Sequence, residues 1–168
     1  MVGMMMAEAL YSGYSARDNY ISDLGVGPSA LVFNSSVFLF GLLAAGASYM
    51  IWRGVGARLV ATLFFIAAIG AVGVGVFTED AGAMHVVVSA IVFLFGGISA
   101  IAAYRLEKAP LNYISVIMGI TALVALALFA TGNFLGLGKG GMERMIAYPI
   151  VLWAIAFGGH VINTEEKA

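Results

Sequence analysis

Polar and apolar positions in this chain separate into long blocks instead of alternating. Five apolar runs, at about residues 30–52, 57–77, 83–104, 112–131 and 145–162, are divided by short polar links. Each run has the roughly 17–25 residues that an α-helix needs to cross a hydrocarbon core. Backbone N–H and C=O groups in lipid must be satisfied within their own segment, so helices are the predicted elements. Strands of a membrane barrel would alternate with a period of two over about ten residues, and these runs do not.

The links are Arg53-Gly54-Val55-Gly56, Thr78-Glu79-Asp80-Ala81-Gly82, residues 105–111 and the glycine-rich stretch 132–141. Links this short make successive helices antiparallel neighbours and leave no room for a soluble domain. The expected fold is an all-α integral membrane bundle, a single transmembrane domain over 1–168. Residues 1–29 add an N-terminal stub and an ordered loop. The apolar residues 4–10 read as the tail of a further spanning helix or as an interfacial segment. Ser22-Asp23-Leu24-Gly25-Val26-Gly27-Pro28 reads as a turn into the first span, with Asp23 capping locally and Pro28 suited to a first helical turn. The start of the chain lacks the basic n-region of a secretory signal.

Composition strengthens this picture. Hydrophobic residues make up 62% of the 168 and charged residues 10%, against about 45–50% and about 25% in soluble domains. A chain this short has too little interior to hide such an excess, so lipid must solvate much of it. A net charge of −1 gives no basic field for nucleic acid. The absence of cysteine removes disulfides, thiolate nucleophiles and cysteine-ligated zinc. Lysine and arginine placement sets orientation. Arg53, Arg58, Arg105, Lys108 and Lys167 fall on one side, and Arg17, Lys139 and Arg144 on the other. The expectation is a multi-pass protein of the cell membrane with a cytoplasmic C-terminus.

Candidate chemistry gathers at the opposite, outer rim. Asp23, Asn34, Ser35, Glu79, Asp80, His85, Asn133, Glu143 and Arg144 all fall at or near that face. A carboxylate beside an imidazole binds a metal, shuttles a proton or grips a cationic headgroup. The competing reading is that Glu79 or Asp80 favours the helix N-terminus electrostatically while His85 anchors at the interface. His85 and His160 lie at opposite membrane faces and so cannot share a metal; one histidine with two acids is a weak metal signal, and no cofactor is expected. Glu143 and Arg144 open the fifth span, where Arg144 is expected to pair with Glu79 or Asp80, or to hold a lipid phosphate. Pro149 should kink that span or mark its first turns, and His160 is accounted for by the macrodipole at its end. Trp52, Tyr104, Tyr113, Tyr148 and Trp153 read as partly interfacial anchors.

Small residues at four-residue spacing, Ala67, Ala71 and Gly75 in the second span and Gly96 with Ala100 in the third, let helix backbones approach closely. Packing within the bundle is the expected use, and a homo-oligomer face the alternative. The run Gly70-Ala71-Val72-Gly73-Val74-Gly75 lies inside a span with no βαβ context, which excludes a nucleotide loop.

Three stretches carry a family resemblance. Asn19-Tyr20-Ile21-Ser22-Asp23-Leu24-Gly25 followed by Ala30-Leu31-Val32-Phe33-Asn34-Ser35 resembles the opening of a family of uncharacterised prokaryotic, largely archaeal, membrane proteins that looks related to the eukaryotic Frag/DRAM/Sfk group. Gly75-Val76-Phe77-Thr78-Glu79-Asp80 with His85 resembles its second signature, and Glu143-Arg144-Met145-Ile146-Ala147-Tyr148-Pro149 with Trp153 its third. The resemblance implies six spanning helices with the Ser-Asp-Leu-Gly loop after the first, whereas this chain has too little sequence before Asp18 for a complete first helix. The eukaryotic group is associated with lipid remodelling, membrane lipid organisation and autophagy. Membrane lipids are therefore the expected partners. The first functional expectation is recognition of a lipid headgroup or small polar ligand at the outer rim. A lipid-modifying enzyme using His85 and Asp80 comes second, and a small transporter or channel third.

Overall fold

The computed structural model describes residues 1–165. Six α-helices account for most of them, with no strand among the described residues: α1 (Val2–Leu10), α2 (Ala30–Met50), α3 (Arg58–Val76), α4 (Ala83–Ala102), α5 (Leu111–Ala130) and α6 (Gly138–Glu165). Helices α2 to α6 are long and apolar enough to cross a membrane, with mean hydropathy between 1.8 and 2.5. The chain is thus a multi-pass helical membrane bundle with a short nine-residue helix, α1, packed against α2.

Consecutive helices α2 through α6 are neighbours, and α6 folds back to touch α4. Two faces result. The acidic face carries residues 11–29 and the α3–α4 and α5–α6 connections; the basic face carries Arg53, Arg58, Arg105 and Lys108. Lys167, counted with the basic side above, lies outside the described residues.

Close backbone approach is built from small residues. A Cβ on Gly75 would meet Phe38 Cβ of α2 at 2.8 Å, one on Gly96 the Ile150 side chain of α6 at 2.7 Å, and one on Gly119 the carbonyl oxygen of Gly97 at 2.6 Å. Ala67, Ala71 and Ala100 are buried as well. These stripes are spent inside the bundle, where dispersion at short helix separation replaces the hydrophobic drive that lipid removes. Two serines buried in the spans turn their hydroxyls back on their own helices, Ser48 donating to Ala44 O at 2.8 Å and Ser99 to Phe95 O at 2.6 Å. That satisfies a polar group without exposing it to lipid.

Helix α6 differs from the sequence expectation in two ways. The last span begins at Gly138, seven residues before the expected start at Met145, so Gly138 to Gly141 form a helical turn and not a loop. The glycines are required by a crossing chain, described below, and not by a flexible link. Trp153 is no interfacial anchor. It is fully buried, edge-on to Phe64 with ring centroids 5.5 Å apart and stacked on Phe157 at 5.4 Å. The largest side chain of α6 fills the space that alanines Ala44, Ala61, Ala68 and Ala100 leave open. Pro149 lies within α6, which continues through it.

The topology predicts a labelling pattern. Since the chain has no native cysteine, single cysteines at the exposed positions Leu135 and Lys108 should react with an impermeant maleimide from opposite sides of sealed vesicles; reaction from the same side would disprove the antiparallel order.

Candidate functional site

The acidic face is organised by the first two turns of α6. Lys139 lies over the Tyr20 ring, with Nζ 4.1 Å from its centroid. The Gly140 amide donates to Arg17 O at 3.0 Å. Glu143 Oε2 accepts from the Ile21 amide at 2.5 Å. Arg144 donates through Nη1 to the carbonyls of Ala16 (3.0 Å) and Gly140 (3.1 Å), and through Nη2 to Tyr14 Oη (2.9 Å) and the Glu8 carboxylate. Tyr14 in turn donates to Tyr20 O at 2.7 Å. Residues 11–29 are thereby fastened as a cap across the end of the bundle. A Cβ on Gly140 would fall on the Asn19 carbonyl oxygen and lie 2.7 Å from that of Ala16, so the cap rests directly on helix backbone.

The cap has its own turn chemistry. Asp23 Oδ2 accepts from Asn19 Nδ2 at 2.8 Å and from the Tyr20 amide at 2.9 Å, which tightens the 3-10 turn Ser22–Gly25. Asn34, one turn into α2, donates from Nδ2 to Gly25 O at 2.8 Å. Both residues are thus held in place by local bonds, although Asn34 Oδ1 is buried without a hydrogen-bond partner.

Beneath the cap lies a cavity of about 150 Å³. Phe33, Phe40, Val74, Val92 and Phe93 give it apolar walls, and Ser22, Ser36, His85, Ser89 and Glu143 supply its polar groups. Glu143 is 8% exposed. His85 Nδ1 is 2.8 Å from Phe77 O, which can only accept, so the proton belongs on Nδ1. Nε2 then accepts from Ser89 Oγ at 3.3 Å. The structure thus brings His85 and Glu143 to one cavity, from α4 and α6.

Other expected members of the rim are placed apart from that cavity. Asp80 is exposed on the 3-10 turn Glu79–Ala81, and no hydrogen bond or ion pair among the described residues joins it to His85. Asn133 closes a local turn, its Oδ1 accepting from the Leu135 amide at 3.3 Å. Ser35 bonds back to Leu31 O. Arg144 does not pair with Glu79 or Asp80, as expected above, but with Glu8, because α1 returns over the start of α6 and places the acid nearer. Glu79 instead sits beside Asp23. Burial, and then the Asp23 carboxyl, push Glu79 from its ordinary 4.5 up to about 7, against the pull of Lys139 and Ser22. Among the described residues no group of three or more histidine, aspartate and glutamate side chains is placed to hold a metal.

Residues 1–160 match the model of a family described as proteins of unknown function, DUF998. The chain belongs to DUF998. No curated protein and no solved structure matches it. The DUF998 match covers α1, the cap, and all but the end of α6, so the clamp of α6 on the cap lies wholly within the family region. Glu8 and Tyr14 escaped the sequence reading. The signal available for Glu8 was its position as the one charged residue in an otherwise apolar helix, since an acid in such a setting needs a partner.

Two predictions follow from this geometry. Gly140→Ala should lower thermal stability in detergent by about 1–3 kcal/mol through overpacking against the cap, while Gly46→Ala, with open space around it, should be neutral or stabilising by up to about 1 kcal/mol; equal effects would refute the contact. For Glu79, the raised folded-state value means that the folded protein holds a proton that the unfolded chain has lost between about 4.5 and about 7. Its contribution to stability therefore falls as pH rises through that window, and Glu79→Gln should flatten that part of a pH series of unfolding temperatures.

Proposed function

We propose that this DUF998 protein is a membrane-embedded binding protein for a small amphiphile, whose apolar part enters the cavity beneath the cap and whose polar head meets Ser22, His85 and Glu143. The observation that carries the reading is the buried Glu143 carboxyl adjoining an otherwise apolar cavity. Ligand sites combine mostly apolar walls with a few placed polar groups in this way. A cavity of about 150 Å³ takes one narrow alkyl or ring segment and not a two-chain lipid; a cavity of similar size lined by aliphatic and aromatic groups accepts benzene.

The polar end favours a ligand that donates. Glu143 accepts, and His85 Nε2, with Nδ1 bonded to Phe77 O, accepts from a ligand in exchange for its bond from Ser89. Glu79 and Asp23 add to the acidic character of this face. A hydroxyl or amine head fits such a set, and a carboxylate or phosphate head does not. The resemblance to a group associated with membrane lipid organisation points the same way. A lipid-modifying activity through His85 and Asp80 lacks the imidazole–carboxylate contact it requires. Arg53, Arg58, Arg105 and Lys108 support a cell-membrane orientation with the basic face in the cytoplasm, and an outward-facing ligand site goes with that orientation.

The test uses purified protein in lipid nanodiscs and three probes of equal chain length: an alkyl amine, an alkyl alcohol and an alkyl carboxylate. The amine and alcohol should raise the unfolding temperature and the carboxylate should not. Val74→Phe, on the cavity wall, should remove the response to both, and Glu143→Gln should weaken the response to the amine more than that to the alcohol. Stabilisation by the carboxylate alone, or by none of the three, would overturn the reading.

A further inference from the structure

The opposite end of the bundle holds a second buried acid. Glu107 lies in the α4–α5 connection, directly after the 3-10 turn Ala103–Arg105. Its neighbours Arg105 and Lys108 are exposed, yet Glu107 itself is 6% exposed. It is turned inward, beside Ser115 of α5 and Trp153 of α6, both fully buried. Four atoms here are cut off from solvent without a hydrogen bond: Glu107 Oε1 and Oε2, Ser115 Oγ and Trp153 Nε1.

Buried polar groups are nearly always satisfied, and an unsatisfied one calls for an explanation such as strain, a functional role, or a bound water or ion. Trp153 cannot swing its N–H away, because Phe64 and Phe157 fix the indole from two sides. The inventory of donors and acceptors is also particular. The indole N–H only donates, the ionised carboxylate only accepts, and the serine hydroxyl does either. One water accepting from Trp153 or Ser115 and donating to the carboxylate completes an ionised site; a protonated carboxyl donates to Ser115 Oγ and takes the indole N–H on its other oxygen.

We propose that Glu107, Ser115 and Trp153 form a proton-binding site at the basic face, with Glu107 taking up and releasing one proton and a buried water entering with the ionised form. The step is carboxylate plus aqueous proton to carboxylic acid, with nothing else gained or lost. Its setting supports both states. Burial raises the Glu107 value, while the Ser115 hydroxyl, the charge of His160 and the Trp153 N–H lower it, the hydroxyl and the indole standing close to the carboxyl without the alignment of full hydrogen bonds. The groups facing the carboxyl are then Ser115 from α5 and Trp153 and His160 from α6, and His160 Nε2 lies 3.2 Å from Leu106 O beside it. The protonation state therefore sets the charge of the residue that docks the α4–α5 connection onto α6. This site is independent of the cavity at the acidic face.

The chain has only two tryptophans, Trp52 and Trp153, so Trp52→Phe leaves a single reporter inside the site. In nanodiscs, Trp153 emission of that variant should follow a one-proton curve between about pH 4 and about pH 9, with a midpoint above the ordinary carboxyl range. The curve should vanish on adding Glu107→Gln and persist, at a higher midpoint, with His160→Gln. Infrared difference spectra of the otherwise native protein across the same range should contain a protonated-carboxyl band that Glu107→Gln removes. A flat emission curve, a curve that survives Glu107→Gln, a curve lost with His160→Gln, or a spectrum without that band would each overturn the proposal.

Discussion

One guanidinium holds the acidic face together. Arg144 is 9% exposed at the rim of a bundle surrounded by lipid, where an unpaired cation is costly. Its two terminal nitrogens meet four acceptors on three parts of the chain: Glu8 of α1, Tyr14 and Ala16 of the cap, and Gly140 of its own helix. Removing one member of such a part-buried set leaves a charge under-compensated, at a cost below the about 3–5 kcal/mol typical of a fully buried pair. The cap itself holds one short 3-10 turn and no long helix, so it depends on such bonds and on the packing of Ile21 and Leu24 against Ala7 and Phe33. Position and charge are thus solved by the same contact.

The cavity follows from that constraint. With α1 and the cap drawn onto α6 by Arg144, and Ile21 fixed by Glu143, the cap covers α2, α3 and α4 at their ends without filling the space between them. The side chains left to line the gap are mostly those the spans needed anyway, valines and phenylalanines. Its polar groups arrive from the structures that close it: Ser22 from the cap, Glu143 from the clamp, His85 from the first turn of α4. A binding site of this form needs no dedicated element, only a lid held at a distance.

The spans were legible because lipid enforces them. Length and hydropathy alone place α2, α3, α4 and α5 within a few residues, since any polar interruption would leave backbone groups unsatisfied in hydrocarbon. The start of α6 was not legible. Gly138, Gly140 and Gly141 carry the composition of a loop, and only the chain crossing at Arg17 and Asn19 explains why a helix is made from them. Arg144 was visible as an important charge, but its partner Glu8 lies at the far end of the sequence, and no local pattern connects them. Gathering His85 with Glu143 at one face was readable from helix alternation; separating Asp80 from His85 was not, because that depends on which way a three-residue turn projects its side chains.

Glu107 shows where such reading stops. In sequence it stands between Arg105 and Lys108, as one more charge in a polar link at a membrane face, and solvation is the ordinary fate of such a residue. What turns it inward is the neighbourhood. Small residues at the ends of α4 and α5, Ala103 and Ser115, both fully buried, leave room for a side chain to descend between the helices, and an aromatic stack holds a donor at the bottom. The same small residues that allow helices to approach closely thus also decide which polar side chains enter the bundle. Hydropathy averages over both, so it locates the helices and stays silent about the acids between them.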